Sequence, residues 1–280
     1  MKKTSYSSRS SQSSNPRNSS CSRFSRTFAS AFLPLATLLL LASCTHAPRA
    51  VTVNGGYLAV TAALDSLPQN AEAQAILAEY QQRVIDVQAP VLGTAPFDIE
   101  RGRPEGLMNN FEADVLRAAG DSVNGRPIDV AVANYGGIRN MWQKGNITVG
   151  DIYRVFPFEN CLALATLTGE QLTSLFKAIA RVGGQPVSGA ALVITPDGEL
   201  VTCDVNGHPI DPAGTYRVAT LDYLVEGNDG MEVFSEATDV SIYSDLILRD
   251  LITARVKSLT AAGQPVAPVL DGRITVIDLQ

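Results

Sequence analysis

Apolar residues along the chain fall into segments with helical spacing, separated by shorter runs with strand character. After Asn70, for example, Ile76, Leu77, Tyr80 and Val84 follow the three- and four-residue spacing of an amphipathic helix. Helices are predicted at 70–87, 106–119, 148–155, 168–182 and 244–262. Strands are predicted at 129–134, 162–167, 191–195, 200–205, 216–221 and 273–279, and 87–98 is predicted to be extended.

The two kinds of segment are interleaved, which predicts a domain of the α/β class with α and β elements mixed. Hydrophobic residues make up 45% of the 280 residues, which is ample for a single core. We therefore expect one folded domain over residues 70–280.

The strand predicted at 129–134 leads into residues that suit ligand binding. Asn134 ends the strand, and Gly136 and Gly137 follow it. Glycine permits positive φ and lets a ligand approach the backbone closely. Arg139 then adds a planar guanidinium that suits an anionic ligand.

Two later segments add complementary chemistry. Phe158 and Asn160 place a ring and an amide just before the strand predicted at 162–167, and a nucleotide is a flat, anionic molecule that such groups can bind. Farther along, Tyr223 offers another ring, and Asp229 lies in a glycine-rich loop. A carboxylate there can accept hydrogen bonds from two neighbouring hydroxyls, as in a ribose diol, although Asn-Asp-Gly alone is also an ordinary turn.

Together these motifs resemble the C-terminal domain of the 5'-nucleotidase family. N-x-G-G-I-R begins at Asn134, G-x-I-T at Gly145, D-I-Y-x-V-x-P-F-x-N at Asp151, and the aromatic-L-x-x-G-x-D-G run at Tyr223. The motifs occur in the family's order, so their joint pattern is far more specific than any one of them. The resemblance extends from about Arg101 to the end of the chain and implies a layered α/β/β/α fold with mixed sheets.

The resemblance also implies a ligand-binding site of aromatic, amide and charged side chains. These match Arg103, Asn134, Arg139, Phe158, Asn160, Tyr223 and Asp229. In that arrangement the two rings sandwich the base, the two asparagines contact its edge, the aspartate binds the ribose and the arginines hold the phosphate. Arg101 is the alternative to Arg103, and Asn109 and Asn228 replace glycines of the family's pattern.

The N-terminal region has the features of a targeting segment. Residues 1–26 are serine-rich with six Lys or Arg and no acid, and an apolar run at 29–41 leads into Leu-Ala-Ser-Cys, which resembles a bacterial lipobox. We predict a lipoprotein signal peptide at 1–43, a lipidated Cys44 and a tether at 44–69. An ordinary signal peptide and an uncleaved anchor are the alternatives. The lipoprotein interpretation places the chain in the cell envelope, in the periplasm or on the outer membrane.

The net charge of the chain limits the classes of molecule that it can bind. Its 22 basic and 28 acidic residues give a net charge of −6, and without residues 1–43 the balance is 16 against 28, or −12. This acidic surface argues against nucleic-acid binding and against any membrane contact other than the lipid anchor. An anionic ligand must therefore be held by a local arginine cluster.

Metal chemistry is not expected in this chain. In the family, two metal ions in a separate N-terminal domain hydrolyse the phosphate ester. The chain has two histidines, His46 and His208, and no Asp-x-His or Gly-Asn-His motif. We predict no catalytic residue, metal site or cofactor here, with divalent metals in a partner domain. Cys161 and Cys203 are either buried thiols or a disulfide pair.

Three functional hypotheses remain. In the first, this is the nucleotide-binding domain of a 5'-nucleotidase-type phosphoester hydrolase at the cell envelope, with the metallophosphatase domain on a separate partner chain. In the second, it is a non-catalytic lipoprotein that binds a nucleotide or nucleoside. In the third, it is a structural envelope protein, which predicts no nucleotide binding.

Overall fold

A computed structural model of the chain describes residues 70–278. The predicted signal peptide at 1–43, the lipidation site Cys44 and the tether at 44–69 lie outside these residues and stay predictions. Within 70–278, no helix is both long enough and apolar enough to cross a membrane.

Helices and strands are interleaved along the described chain. The α-helices are α1 (Ala71–Gln88), α2 (Leu107–Asn124), α3 (Val149–Val155), α4 (Gly169–Arg181), α5 (Asp222–Val225) and α6 (Leu248–Ala261). The strands are β1 (Val91–Ala95), β2 (Val130–Val132), β3 (Gly145–Thr148), β4 (Cys161–Thr168), β5 (Val187–Ser188), β6 (Ala190–Ile194), β7 (Leu200–Val205), β8 (His208–Pro209), β9 (Thr215–Leu221), β10 (Thr238–Ile247) and β11 (Ile274–Val276). Short 3-10 helices cover Tyr135–Gly137, Asn228–Gly230 and Glu232–Glu236.

The strands form two main sheets of mixed direction. The five-stranded sheet has the order β10-β4-β9-β2-β5, and only its β9–β2 pair is parallel. The four-stranded sheet has the order β11-β6-β7-β8, with β11 and β6 parallel. β1 and β3 form a separate antiparallel pair. The α/β class and the mixed sheets expected from the sequence are confirmed.

Two helices, α2 and α4, pack against the five-stranded sheet. α2 packs against β2, β4 and β9, and Gly120 permits its close approach, because a Cβ there would lie 3.0 Å from the Cβ of Ala219. α4 packs against β4 and β9 and also contacts β7 of the other sheet. Its apolar face, including Leu172, Leu175 and Phe176, is fully buried.

Local sequence explains where two of the helices begin. Thr148 caps α3 by accepting a hydrogen bond from the Asp151 amide, and the Asp151 carboxylate accepts one from the Thr148 amide in return. Thr168 and Gln171 form the same reciprocal arrangement at the start of α4. Both starts agree with the sequence prediction.

The first predicted helix is present as α1, but the described structure buries none of its residues. Its apolar stripe, including Ile76, Tyr80 and Val84, is about half exposed. Amphipathic spacing therefore identified the helix without identifying what its apolar face contacts.

The helix predicted at 244–262 is wrong in its first turn. β10 continues to Ile247, because Ile242 and Tyr243 pair with β4, and α6 begins only at Leu248. Four strands, β3, β5, β8 and β10, were not predicted from the sequence. Cys161 and Cys203 are free thiols on β4 and β7, which belong to different sheets, so the disulfide alternative is wrong.

Candidate functional site

The strand directions bring three distant segments to one edge of the five-stranded sheet. β2 and β9 are parallel, with Ala131 paired to Ala219, so the chain leaves both strands at the same edge. β4 is antiparallel to β9, with Leu162 opposite Leu221, so the residues just before β4 lie at this edge too. The residues after β2, before β4 and after β9 therefore meet.

A cleft of about 220 Å³ opens at this edge. It is lined by Asn134, Gly136, Arg139, Phe158, Asn160, Tyr223 and Asp229. Six of these seven are the ligand contacts implied by the resemblance, and the seventh, Gly136, is one of the two glycines that follow Asn134 in the sequence. The structure thus places both rings, both amides, the carboxylate and one guanidinium around one space.

Asp229 lies on a tightly wound loop. Its φ is 56°, and the neighbouring glycines Gly227 and Gly230 also have positive φ, at 85° and 77°. The glycine-rich loop expected from the sequence therefore has the backbone geometry that only glycine and a few polar residues adopt readily.

Two side chains hold the Asp229 carboxylate in place. Asn134 donates from Nδ2 to Oδ2 over 2.6 Å, and the Tyr223 hydroxyl donates to Oδ1 over 3.1 Å. The hydrogen bond from Tyr223 to Asp229, together with the negative charge of Asp229, raises the pKa of the Tyr223 phenol above its usual value. The resemblance implies a separate ligand contact for each of these three residues, and the hydrogen bonds among them were not predicted.

Asn134 is nearly buried, at 5% exposure, and its Oδ1 has no hydrogen-bond partner among the described residues. A Cβ at Gly137 would lie 3.0 Å from this oxygen, so the glycine leaves it room. The sequence suggested that Gly136 and Gly137 are glycines because positive φ is needed there. Neither residue has positive φ, so that explanation is wrong. The structure supports a different explanation for Gly137, which is that a side chain there would crowd the Asn134 amide.

Arg139 stands beside Phe158, with its guanidinium carbon 4.9 Å from the ring centroid. Its backbone amide donates to the Val155 carbonyl over 2.8 Å, which fixes the chain here against the end of α3. Arg139 and Asp229 are the two lining residues with a formal charge at neutral pH. The cleft therefore offers a cation for an anionic group and a carboxylate for donors.

Arg103 does not line the cleft. Its guanidinium carbon lies 4.5 Å from the Tyr135 ring centroid, and it donates a hydrogen bond to the Val182 carbonyl. Arg101, the alternative named from the sequence, stacks on the same ring at 4.5 Å and donates to the Ile138 carbonyl. Both arginines therefore stabilise the segment that carries the first motif.

Gln185 supports the same segment and was missed from the sequence. It is nearly buried, and its Oε1 accepts a hydrogen bond from the Tyr135 amide over 2.6 Å. Nothing in its sequence context marks it, because the contact joins positions 50 residues apart.

The described residues do not fit a two-metal site. No group of three or more His, Cys, Asp or Glu side chains in this part of the chain is placed to hold a metal ion. His208, the histidine within it, is exposed on β8.

Comparison with known proteins agrees with this architecture. The family model described as 5'-nucleotidase, C-terminal domain, matches residues 86–236. The chain is 35% identical over 106 residues to Protein UshA of Escherichia coli, an alignment that covers 36% of this chain and 19% of that protein. It is 32% identical over 229 residues to the trifunctional nucleotide phosphoesterase protein YfkN of Bacillus subtilis, covering 74% of this chain and 15% of that protein.

Among solved structures, the chain resembles a 5'-nucleotidase precursor from Thermus thermophilus, with a TM-score of 0.65 and 25% identity. That likeness covers 78% of this chain and 45% of the other. The chain thus spans less than half the length of each of these relatives.

The fold is a mixed α/β domain with a lined cleft at one edge of its five-stranded sheet. The chain belongs to the 5'-nucleotidase family through its C-terminal domain. Relatives in this family carry the names of nucleotidases and nucleotide phosphoesterases, which are hydrolases.

Proposed function

We propose that this chain is the nucleotide-binding domain of a 5'-nucleotidase-type phosphoester hydrolase at the cell envelope. The observation that carries the proposal is that Phe158, Tyr223 and Asp229, from separate segments, line one cleft with Arg139. Rings for a base, a carboxylate for a ribose and a guanidinium for a phosphate are the groups that a nucleoside phosphate requires. Asn134 and Asn160 supply amides for the edge of the base.

The phosphate end of the ligand is assigned to Arg139, with Arg103 as a further contact. Arg139 is exposed and forms no ion pair among the described residues, so its charge is available to a ligand. Arg103 reaches a phosphate only if its guanidinium leaves Tyr135 and the Val182 carbonyl.

In this proposal, the metal ions and the bond-breaking chemistry belong to a metallophosphatase domain on a separate partner chain. Support comes from the lack of a fitting metal site among residues 70–278. The size of the cleft also agrees, because about 220 Å³ is below the usual range of roughly 300–1,000 Å³ for ligand pockets. A second domain would then complete the enclosure of the ligand.

The test is phosphate release from nucleotides by this chain, by a candidate metallophosphatase chain from the same organism, and by their mixture. The proposal predicts metal-dependent release that rises on mixing and falls when Arg139→Ala replaces the native chain. No gain on mixing, despite nucleotide binding by this chain, favours the second candidate, a non-catalytic nucleotide- or nucleoside-binding lipoprotein. The same lack of a metal site supports that candidate.

The envelope location is part of the proposal and rests on the predicted lipobox. Cys44→Ser is expected to move the chain from the membrane fraction to the soluble fraction. Mass spectrometry of the native chain should find a lipidated Cys44 as its first residue. An unmodified Cys44 in a cleaved chain would contradict the anchor and leave nucleotide binding unaffected.

A further inference from the structure

The carboxylate of Asp229 is held from two directions. Asn134 donates to one of its oxygens and the Tyr223 hydroxyl to the other. The loop backbone is itself constrained, because Gly227, Asp229 and Gly230 all have positive φ. An exposed aspartate on a surface loop is ordinarily free to change rotamer, so this double restraint is a specific feature of the site.

We propose that Tyr223 is a positioning residue, whose hydroxyl fixes the Asp229 carboxylate so that the cleft selects ligands with a ribose cis-diol. This inference rests on the proposed function and adds a selectivity device to it. The ring of Tyr223 stacks on the base, and its hydroxyl positions the carboxylate that binds the sugar. One side chain therefore contributes to recognition of both parts of the ligand.

The number of hydrogen bonds that the Asp229 carboxylate can accept supports selection of a diol. An ionised carboxylate has about four acceptor positions. Asn134 and Tyr223 use one on each oxygen, which leaves one on each oxygen for a ligand. Two neighbouring hydroxyls match that remaining pair, whereas a 2'-deoxyribose supplies only one.

A phenylalanine at position 223 would keep the ring and lose the hydroxyl. The Asn228 side chain donates to the Tyr223 carbonyl over 2.8 Å, so the loop and the ring stay connected in such a variant. The raised pKa of the Tyr223 phenol agrees with a hydroxyl that is engaged with a carboxylate. Tyr223→Phe therefore isolates the positioning role from the stacking role.

The first test compares adenosine and 2'-deoxyadenosine binding to the full chain by calorimetry. Tyr223→Phe is expected to weaken adenosine binding by about 3- to 10-fold, the worth of one hydrogen bond, and to change 2'-deoxyadenosine binding less than twofold. Tyr153→Phe, an exposed tyrosine outside the cleft, is the matched control and should change neither. An equal loss for both ligands in Tyr223→Phe would overturn the proposal.

A double-mutant cycle with Asp229→Asn sharpens the result. If the hydroxyl acts through the carboxylate, Tyr223→Phe should have little further effect on adenosine binding once Asp229→Asn is present. Additive losses would show that the hydroxyl acts independently of Asp229 and would contradict the proposal.

A ligand-free measurement separates this proposal from the proposed function. With tyrosine labelled at its ring carbon, NMR titration follows each phenol, and Tyr223→Phe identifies the signal. The pKa of Tyr223 should fall toward its usual value in Asp229→Asn. If no nucleoside binds the native chain, the proposed function fails, and so does diol selection. An unchanged pKa in Asp229→Asn would overturn the positioning contact itself.

Discussion

The amide nitrogen Nδ2 of Asn134 lies 2.6 Å from the carboxylate oxygen Oδ2 of Asp229, although 95 positions separate the two residues. The parallel pairing of β2 and β9 makes this contact possible, because Asn134 follows one strand and Asp229 the other. Asn134 is nearly buried and Asp229 is exposed, so a fixed donor holds a surface carboxylate. The first motif thus orients the second.

This contact can be tested without a ligand. Asn134→Asp would place two carboxylates within hydrogen-bond distance, where both cannot remain ionised. We expect the free energy of unfolding at pH 7 to fall by about 1–3 kcal/mol, measured by urea denaturation. The exchanged pair, Asn134→Asp with Asp229→Asn, restores a donor and an acceptor and should recover most of the loss. No recovery would contradict the contact.

Arg139 should distinguish nucleotides from nucleosides. Arg139→Ala removes a charge-assisted contact worth about 1.5–3 kcal/mol, so adenosine monophosphate should bind about 10- to 150-fold more weakly, while the affinity for adenosine should change little. Calorimetry of both ligands gives the comparison, and Arg154→Ala, outside the cleft, is the matched control. Equal losses for the two ligands would exclude a phosphate role for Arg139.

Six of the seven residues that line the cleft could be named from the sequence because its signals are local. Phe158, Asn160 and Asp229 lie in short motifs whose residue types suit a nucleotide, and the structure brings them to one cleft. The contacts within the site were beyond sequence reasoning, since Asn134–Asp229 and Tyr135–Gln185 depend on how the strands pair. Motifs in the sequence therefore predict which residues belong to a site, but the contacts among those residues are known only from the fold.

The fold shows the same division. α4 was predicted almost to the residue, because Thr168 caps it and its apolar face is regular. β10 was missed for two reasons. Its pairing with β4 is non-local. In addition, apolar residues such as Val240 and Ile242 are exposed on it, whereas a typical surface strand has polar residues on its exposed face. β5 and β8 have two residues each, too few for a periodic signal.

The burial of Glu112 predicts that the free energy of unfolding depends on pH. It is fully buried on α2 without a hydrogen-bond partner among the described residues, and burial raises its pKa from 4.5 to about 8. The native state therefore holds this proton up to about pH 8, whereas the unfolded chain releases it near pH 4.5. Between these values the unfolded state binds fewer protons, so the free energy of unfolding should fall as pH rises, by up to about 1.4 kcal/mol per pH unit.

Glu112→Gln should remove this slope, which urea denaturation at several pH values between 5 and 8 would measure. Glu199→Gln is the matched control, because it removes the same charge from an exposed position and should leave the slope unchanged. A native slope that survives in Glu112→Gln would assign the pH dependence to other groups.

Arg273 fastens the C-terminal segment to α2. Its guanidinium donates to both oxygens of Asp114 over 2.7 and 2.9 Å and to Asp271 over 2.8 Å, and its side chain is 13% exposed. Arg273→Met should lower the free energy of unfolding by about 2 kcal/mol, a value discounted because Asp114 is half exposed. Arg83→Met, which breaks an exposed pair with Glu79, should cost less than about 0.5 kcal/mol.

The central claim is that a nucleoside phosphate occupies the cleft between Phe158 and Tyr223. Calorimetric titration of adenosine monophosphate into the full chain, native and Phe158→Ala, tests it most directly. The account predicts saturable one-to-one binding that Phe158→Ala weakens by about 1–3 kcal/mol, the worth of one stacked base. Absence of binding to the native chain, or equal affinity for both forms, would contradict it.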